Sequence, residues 1–499
     1  MHYLLGVDIG TYSSKGVLVR EDGQVAASHS VEHSLCLPKP GWAEHDPELT
    51  WWNDFLEIVH FLLDASRISP DLIAGLGIST ISPAVVALGA DGVALRPAIL
   101  YGIDTRASKE VVELEQLTGV SLSSQSGAPK ILWLRRNEPE VWRQTHQIVN
   151  GSGYLNFKLT GQATIDMYDA SAFSPFFAVQ SLNWDSTLAN QLAPIEWMPR
   201  PTWTCEVAGR VTAAAARQTG LCEGTPVITG TADAAAEAVS AGLSKTGDMM
   251  LMYGSSTFFI LKTDVFTQSP HFWTSPFLEP GTFSVAGGTA TAGSLTRWFR
   301  DQFAQAEMDE QKAGGENAYA NLARLAAGSP PGSHGLVVLP YFYGERTPIH
   351  DPQARGLIFG LTLNHTRADV YRALLESVGY SIRHNLEALQ AEGLHPVRLL
   401  AVGGGTLNRP WMEMVGDIAG VVQVISSQPT GACYGDAFLA GIGGGLFSST
   451  ADISHWLTRS ETLLPDAARH ALYEPYYQLY RDLYEQNAGA MHRISALNS

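Results

Sequence analysis

Two strand-like segments that each run into an aspartate, about 225 residues apart, constrain this chain more than any other feature. Tyr3-Leu4-Leu5-Gly6-Val7-Asp8-Ile9-Gly10-Thr11 reads as a buried strand that closes on an acid, a glycine and a hydroxyl. Pro226-Val227-Ile228-Thr229-Gly230-Thr231-Ala232-Asp233 reads as a second strand that ends on an acid. Two carboxylates at strand ends suit phosphoryl transfer. One sits near a metal and a phosphate, and the other takes a proton from a hydroxyl. In that chemistry the protein mostly positions groups and neutralises charge.

The rest of the chain alternates strands and helices, the pattern of an α/β protein. Residues 15–20 predict a strand, Asp22-Gly23 a hairpin turn, and Gln24 to Val31 a third strand. Asp46 reads as a helix N-cap with Pro47 at the first helical position, ahead of Glu48 to Leu63. Ile73 to Ile78 and Val85 to Leu88 predict further strands. The second half opens in the same way: a strand Asp248 to Tyr253, a turn Gly254-Ser255-Ser256-Thr257, and a strand Phe258 to Lys262. It reads as a divergent duplicate with no acid in the place of Asp8. Apolar residues at Val370, Leu374, Val378, Ile382, Leu386 and Leu389 predict an amphipathic helix over Ala368 to Ala391. Leu399 to Val402 predicts a strand running into Gly403-Gly404-Gly405, then a helix around Trp411 to Ala419, with a helical tail from Asp466.

Each turn allows two readings. Gly10 lets phosphate oxygens approach the backbone and Thr11 adds a donor, with Lys15 four residues on, or the segment is a plain hairpin. Gly254-Ser255-Ser256 cradles a phosphate or forms another hairpin. Gly403-Gly404-Gly405 admits a flat base or ribose, or is a tight packing turn. Asp233 is a proton acceptor kept ionised by a helix N-terminus, or an ordinary helix cap. Asp104 and Arg106, just past a strand, bind sugar hydroxyls or form a surface pair. His271 and His350 show no metal-ligand spacing and read as structural.

The chain of 499 residues is too long for one hydrophobic core. Its net charge of −17 argues against a broad basic face for nucleic acid. Cys36, Cys205, Cys222 and Cys433 form no CxxC pair, which predicts reduced thiols and a cytoplasmic location. No basic-then-apolar leader and no long apolar run is visible, so neither a signal peptide nor a membrane span is expected.

Taken together, these pieces resemble the FGGY family of carbohydrate kinases over nearly the whole chain. Asp8-Ile9-Gly10-Thr11 is similar to the family's opening phosphate motif, and Trp42-Ala43-Glu44-His45-Asp46-Pro47 to its Trp-x-Glu-x-Asp-Pro stretch. Lys130 to Asn137 resembles the first family signature. Gly356 to Leu361 with Asp369 to Glu376 resembles the second. Gly344-Glu345-Arg346-Thr347-Pro348 resembles a stretch typical of xylulokinase-like members.

The resemblance implies an actin-like ATPase fold with two ribonuclease-H-like domains around a central cleft. Residues 1–245 would form the sugar-binding domain with the catalytic base, and 246–499 the nucleotide-binding domain. It implies ATP and Mg2+, Asp233 as base, and Asp8 with Asp233 at the metal. Gly10, Thr11, Lys15, Gly254, Ser255, Ser256, Gly288 and Thr289 would lie on the phosphates, and Gly403, Gly404, Gly405 and Asn408 on the nucleoside side. A small sugar or polyol is the implied partner, without nucleic acid or membrane, and a homodimer is left open. The substrate side would comprise Ser79, Thr80, Ile81, Ser82, Pro83, Asp104, Arg106 and Asp233.

One stretch departs from the family. Xylulokinases carry Gly-Gln-Met-His-Gly where this chain has Thr80-Ile81-Ser82-Pro83-Ala84, and Pro83 has no side-chain donor. Glycerol kinases carry an Arg-Glu pair there, which is also missing. D-xylulose is therefore expected to be a poor substrate, or no better than another ketose or polyol. Two other classes share the fold: an actin-like ATPase acting as a binding or regulatory module, and a pseudokinase. A regulator should add a basic helix-turn-helix and a chaperone a large peptide-binding domain; neither is found. Retention of both Asp8 and Asp233 argues against a pseudokinase.

Overall fold

The computed structural model describes residues 1–426, 431–457 and 459–497. Two seven-stranded sheets organise it. In the first, Tyr3–Ile9 lies antiparallel to Ser13–Arg20 and parallel to Ile73–Thr80. Val25–Glu32 extends one side, while Pro226–Ile228 and Val207–Arg210 extend the other. In the second, Asp248–Tyr253 lies antiparallel to Thr257–Thr263 and parallel to Arg398–Val402. The same hairpin beside the same parallel neighbour thus opens both sheets, as the duplicated sequence pattern predicts. Most predicted boundaries fall within two residues of the observed ones, including the long helix Arg367–Ala391.

Local chemistry sets the ends of these elements. The Asp46 carboxylate accepts from Glu48 N and Leu49 N, both at 2.9 Å, so the expected cap is present. The turn it opens, Pro47–Trp52, is wound as a π-helix before the α-helix Asn53–Ser66 begins. Thr366 and Asp369 close a capping box on Arg367–Ala391. Among the described residues no helix is long and apolar enough to cross a membrane.

The helix Ala432–Gly443 lies late in sequence but packs on the first sheet and on the helix Asp233–Ser240. Backbone meets backbone there. A Cβ at Gly6 would stand 1.9 Å from the Cys433 carbonyl oxygen, and one at Gly77 would stand 2.3 Å from that of Asp436. Around this helix, Leu4, Val17 and Val19 of the first sheet share a core with Met250, Ile260 and Leu400 of the second. A boundary drawn between residues 245 and 246 therefore leaves one helix of the second half built into the first.

This close approach generates a stability prediction. Gly6→Ala forces helix and sheet apart, an overpacking that costs about 1–3 kcal/mol or more. Calorimetry should show Tm lowered by about 1–6 °C. An unchanged Tm would mean that the helix can move off the sheet freely.

Candidate active site

The first sheet carries Asp8 one residue before its strand ends, paired across the hairpin with Lys15 and across the parallel strand with Ser79. Alternation along the strand puts Asp8 on the face that Ala432–Gly443 covers, because Gly6 lies two residues away on that face. Ser79 Oγ stands 3.2 Å from Asp8 Oδ1 and 2.6 Å from Asp436 Oδ2. One hydroxyl carries one proton, so it serves one acid at a time. Asp436 is fully buried and its Oδ1 has no hydrogen-bond partner.

Asp233 opens the helix Asp233–Ser240, and its carboxylate accepts from Ala234 N at 2.7 Å. Burial pushes Asp233 up to about 6. Burial first, then the charge of Asp233, pushes Asp8 up to about 8, against the pull of Lys15. Burial likewise lifts Glu237 to about 7 and holds Asp436 well above the carboxylate range. Asp8, Asp233, Glu237 and Asp436 thus act on one another in one poorly solvated region, with Lys15 as the cation that relieves Asp8 and Glu237.

The phosphate-turn residues separate into two kinds. Gly10, Thr11, Gly254, Ser255 and Ser256 keep exposed surface. Thr11 Oγ1 lies 2.9 Å from the Tyr101 phenol oxygen. Ser255 O accepts from Ala292 N at 2.8 Å and from Ser294 N at 3.0 Å, tying the second turn to the start of the helix Gly293–Phe303. Thr289 is different: it is buried, and its Oγ1 lies 2.8 Å from that of Thr257. A Cβ at Gly288 would meet Thr257 O at 2.2 Å. Gly288 and Thr289 therefore brace the turn from behind, with the Thr289 hydroxyl engaged inside the protein.

Gly403 adopts φ +89°, a conformation that favours glycine, and Gly403 to Gly405 remain open to solvent. Asn408 caps the helix Arg409–Ala419 through Trp411 N at 3.2 Å. It also lines a cavity of about 720 Å³ shared with Ser329, Arg372, Glu413 and Tyr473.

Two expectations on the substrate side are revised. Asp104 and Arg106 have side chains with no exposure. Arg106 Nη2 donates to Asp104 at 2.7 Å, and its Nη1 lies 2.8 Å from Glu44. Its guanidinium stacks 4.0 Å over Trp42 and 5.0 Å over Trp133, while Asp104 Oδ2 accepts from Ala43 N at 2.7 Å. The pair locks the loop after Tyr101 to the Trp42-Ala43-Glu44 stretch, with both side chains fully buried. In the loop Ser79–Pro83, Ser79, Thr80, Ile81 and Pro83 are buried, and Ser82 alone keeps exposed surface while bonding Asp169. Ser79 is turned toward the acids, and Ile81 N is tied to Ile9 O at 3.0 Å.

Three participants were not singled out in sequence. Tyr101 joins Thr11 to the substrate side and lies within electrostatic reach of Asp233 and Arg346. Arg346 has an exposed guanidinium with no ion pair among the described residues. Its loop is fixed by buried Glu345, which accepts from Ala290 N at 2.6 Å, and by Thr347, whose Oγ1 takes Gly288 N at 2.8 Å. Asp436 had a readable signal, a lone acid within the apolar Ala432–Gly443.

With this geometry in place, comparison defines the class. The chain matches the FGGY family of carbohydrate kinases, its N-terminal domain over residues 3–240 and its C-terminal domain over residues 249–444. The chain belongs to that family and is an ATP-dependent carbohydrate kinase with an actin-like fold. It is 29% identical to the xylulose kinase of Escherichia coli K12, covering 97% of this chain and 98% of that one. It is 27% identical to the gluconokinase of Bacillus subtilis, covering 94% and 93%. The crystal structure of xylulose kinase from Rhodospirillum rubrum superposes with a TM-score of 0.90 at 32% identity, covering 98% of this chain and all of the other. A regulatory ATPase or a pseudokinase is not favoured by these relatives.

The buried ion pair yields the next prediction. Arg106→Ala leaves Asp104 buried and uncompensated, a loss of about 3–5 kcal/mol. Thermal unfolding should shift down strongly. A variant of unchanged Tm with only the sugar KM raised would instead return Arg106 to direct sugar contact.

Proposed function

We propose that this kinase moves the terminal phosphoryl group of ATP to a hydroxyl of a xylulose-like ketose or a related polyol, with Asp233 as general base. The observation that carries this reading is the Asp233 carboxylate. One oxygen is held by Ala234 N, and the group is raised by burial to about 6, where a carboxylate is both ionised at neutral pH and a usable base. Gly10 and Thr11 on one side and Gly254 to Ser256 on the other lie on the phosphates, with Lys15 and Arg346 supplying positive charge where it develops. The nucleoside takes the side of Gly403 to Gly405 and Asn408, where the cavity gives it room. Residues 1–245 and 246–499 act as the two jaws, and the four cysteines, all free, suit the cytoplasm.

Among the described residues no cluster of three or more His, Cys, Asp or Glu could hold a metal alone. Magnesium does not ask for one, since it takes one or two carboxylates, waters and phosphate oxygens. The hard oxygens of Asp8 and Asp233, in a region of excess negative charge, fit it. When bound, magnesium neutralises phosphate charge. Asp8 would hold it, directly or through water, and Asp233 would remain available to the hydroxyl.

The base makes a signed prediction. A base works only when ionised, so kcat/KM for the sugar should be flat above pH 6 and fall about tenfold per unit below it. Asp233→Asn should keep nucleotide binding but lose turnover by about 10²-fold or more. Near-normal turnover in that variant removes Asp233 from the chemistry.

The substrate reading is tested by ADP release with ATP and magnesium across pentuloses, hexuloses, pentitols, tetritols, glycerol and gluconate. With Pro83 buried and Ser79 turned to the acids, the loop offers few donors, so D-xylulose should not dominate. A kcat/KM for D-xylulose far above every other sugar would overturn that part, and no turnover of any of them would overturn the kinase substrate class itself.

A further inference from the structure

A buried cluster lies behind the first phosphate turn, on the sheet face opposite Asp8. His33 follows the third strand, and its backbone N donates to Tyr12 O at 3.0 Å, within the turn. Its ring is nearly enclosed, with 8% of the side chain exposed. Nδ1 stands 2.7 Å from Asp54 Oδ2, and Nε2 stands 3.1 Å from Gly10 O. Asp54 sits in the first turn of the helix Asn53–Ser66, and its Oδ2 also accepts from Ser14 Oγ at 2.6 Å. Three elements thus meet on one imidazole: the helix, the hairpin and the turn.

Proton counting fixes the state of that ring. A backbone carbonyl cannot donate, and Asp54 already accepts from Ser14. Both ring nitrogens face acceptors, and a neutral imidazole has one N–H. Only the imidazolium makes both bonds. The groups facing it are Asp54 from the helix and His45, whose ring lies edge-on at 4.9 Å. Burial, then the charge of His33, pushes His45 down to about 4, so His45 stays neutral and does not compete. Lys15 points to the other face of the strand, toward Asp8 and Glu237.

We propose that His33, held as an imidazolium between Asp54 and Gly10 O, is a positioning residue that sets the conformation of the Gly10–Thr11 turn and thereby the affinity for the nucleotide phosphates. The carbonyl of Gly10 is pulled back against His33, and the open edge of the turn is left for the ligand. If the ring is removed, the bond to Gly10 O goes and the turn is released. The inference rests on the reading of Gly10–Thr11 as a phosphate turn.

The test separates the two. His33→Leu and Asp54→Asn are compared with Thr11→Ala in steady-state assays, with fluorescence-measured binding of a nonreactive ATP analogue as a direct readout. His33→Leu should raise KM for ATP roughly tenfold, the size of one lost charge-assisted bond, with kcat and the sugar KM changed far less. Asp54→Asn should raise it in the same direction. If Thr11→Ala raises KM for ATP while both other variants leave it unchanged, the turn binds phosphate and His33 does not position it. If Thr11→Ala also has no effect, the phosphate-turn reading fails and the inference with it. If His33→Leu is too unstable to assay, Asp54→Asn decides: an unchanged KM for ATP in that variant overturns the proposal.

Discussion

Everything in the cleft depends on a backbone-to-backbone contact between the first sheet and the helix Ala432–Gly443. Gly6 and Gly77, on neighbouring strands, leave no side chain between sheet and helix, so the helix axis comes close enough for Asp436 to reach Ser79. Dispersion and burial supply the attraction, since Phe438, Leu439 and Ala440 are fully buried in a core fed by both sheets. The strands set where Asp8 lies; the helix sets what lies over it. A side chain at either glycine would lift the acid of the second half away from the acid of the first. The electrostatics of the cleft therefore follow from packing at two residues that carry no charge.

The framework was legible because its signals are local. Asp46-Pro47 announces a helix start, Asp22-Gly23 a hairpin, and the apolar spacing of Val370 to Leu389 a buried helix face; each depends on residues a few positions apart. The paired strand ends with Asp8 and Asp233 were legible for the same reason. Contacts between distant segments were not. Arg106 reads as a sugar contact because a cation after a strand looks exposed, yet Trp42, Glu44 and Trp133 enclose it from two other stretches. Nothing local marks the Thr289 hydroxyl as engaged by Thr257, 32 residues earlier. Arg346 was visible within its motif but not as a cleft cation, because its lack of a partner is a property of the folded chain alone.

The two hairpins show how one scaffold divides its work. In the first, the pair nearest the turn is Ile9 with Ser14, and the next is Asp8 with Lys15. In the second, Tyr253 pairs with Thr257, and the next pair is Met252 with Phe258. The parallel neighbour of Asp8 is Ser79, while that of Met252 is Val402. The same three positions are thus an acid, a lysine and a hydroxyl in one half and three apolar residues in the other. Met252 and Phe258 pack into the core shared around the bridging helix, so the second hairpin uses these positions for cohesion. Its turn carries only neutral dipoles, from the backbone of Gly254 to Ser256 and the hydroxyls of Ser255 and Ser256. A second acid facing the first across the cleft would add like charge to a poorly solvated region, and in a low dielectric that repulsion is large. The duplicated hairpin thus carries charge in one half and cohesion in the other.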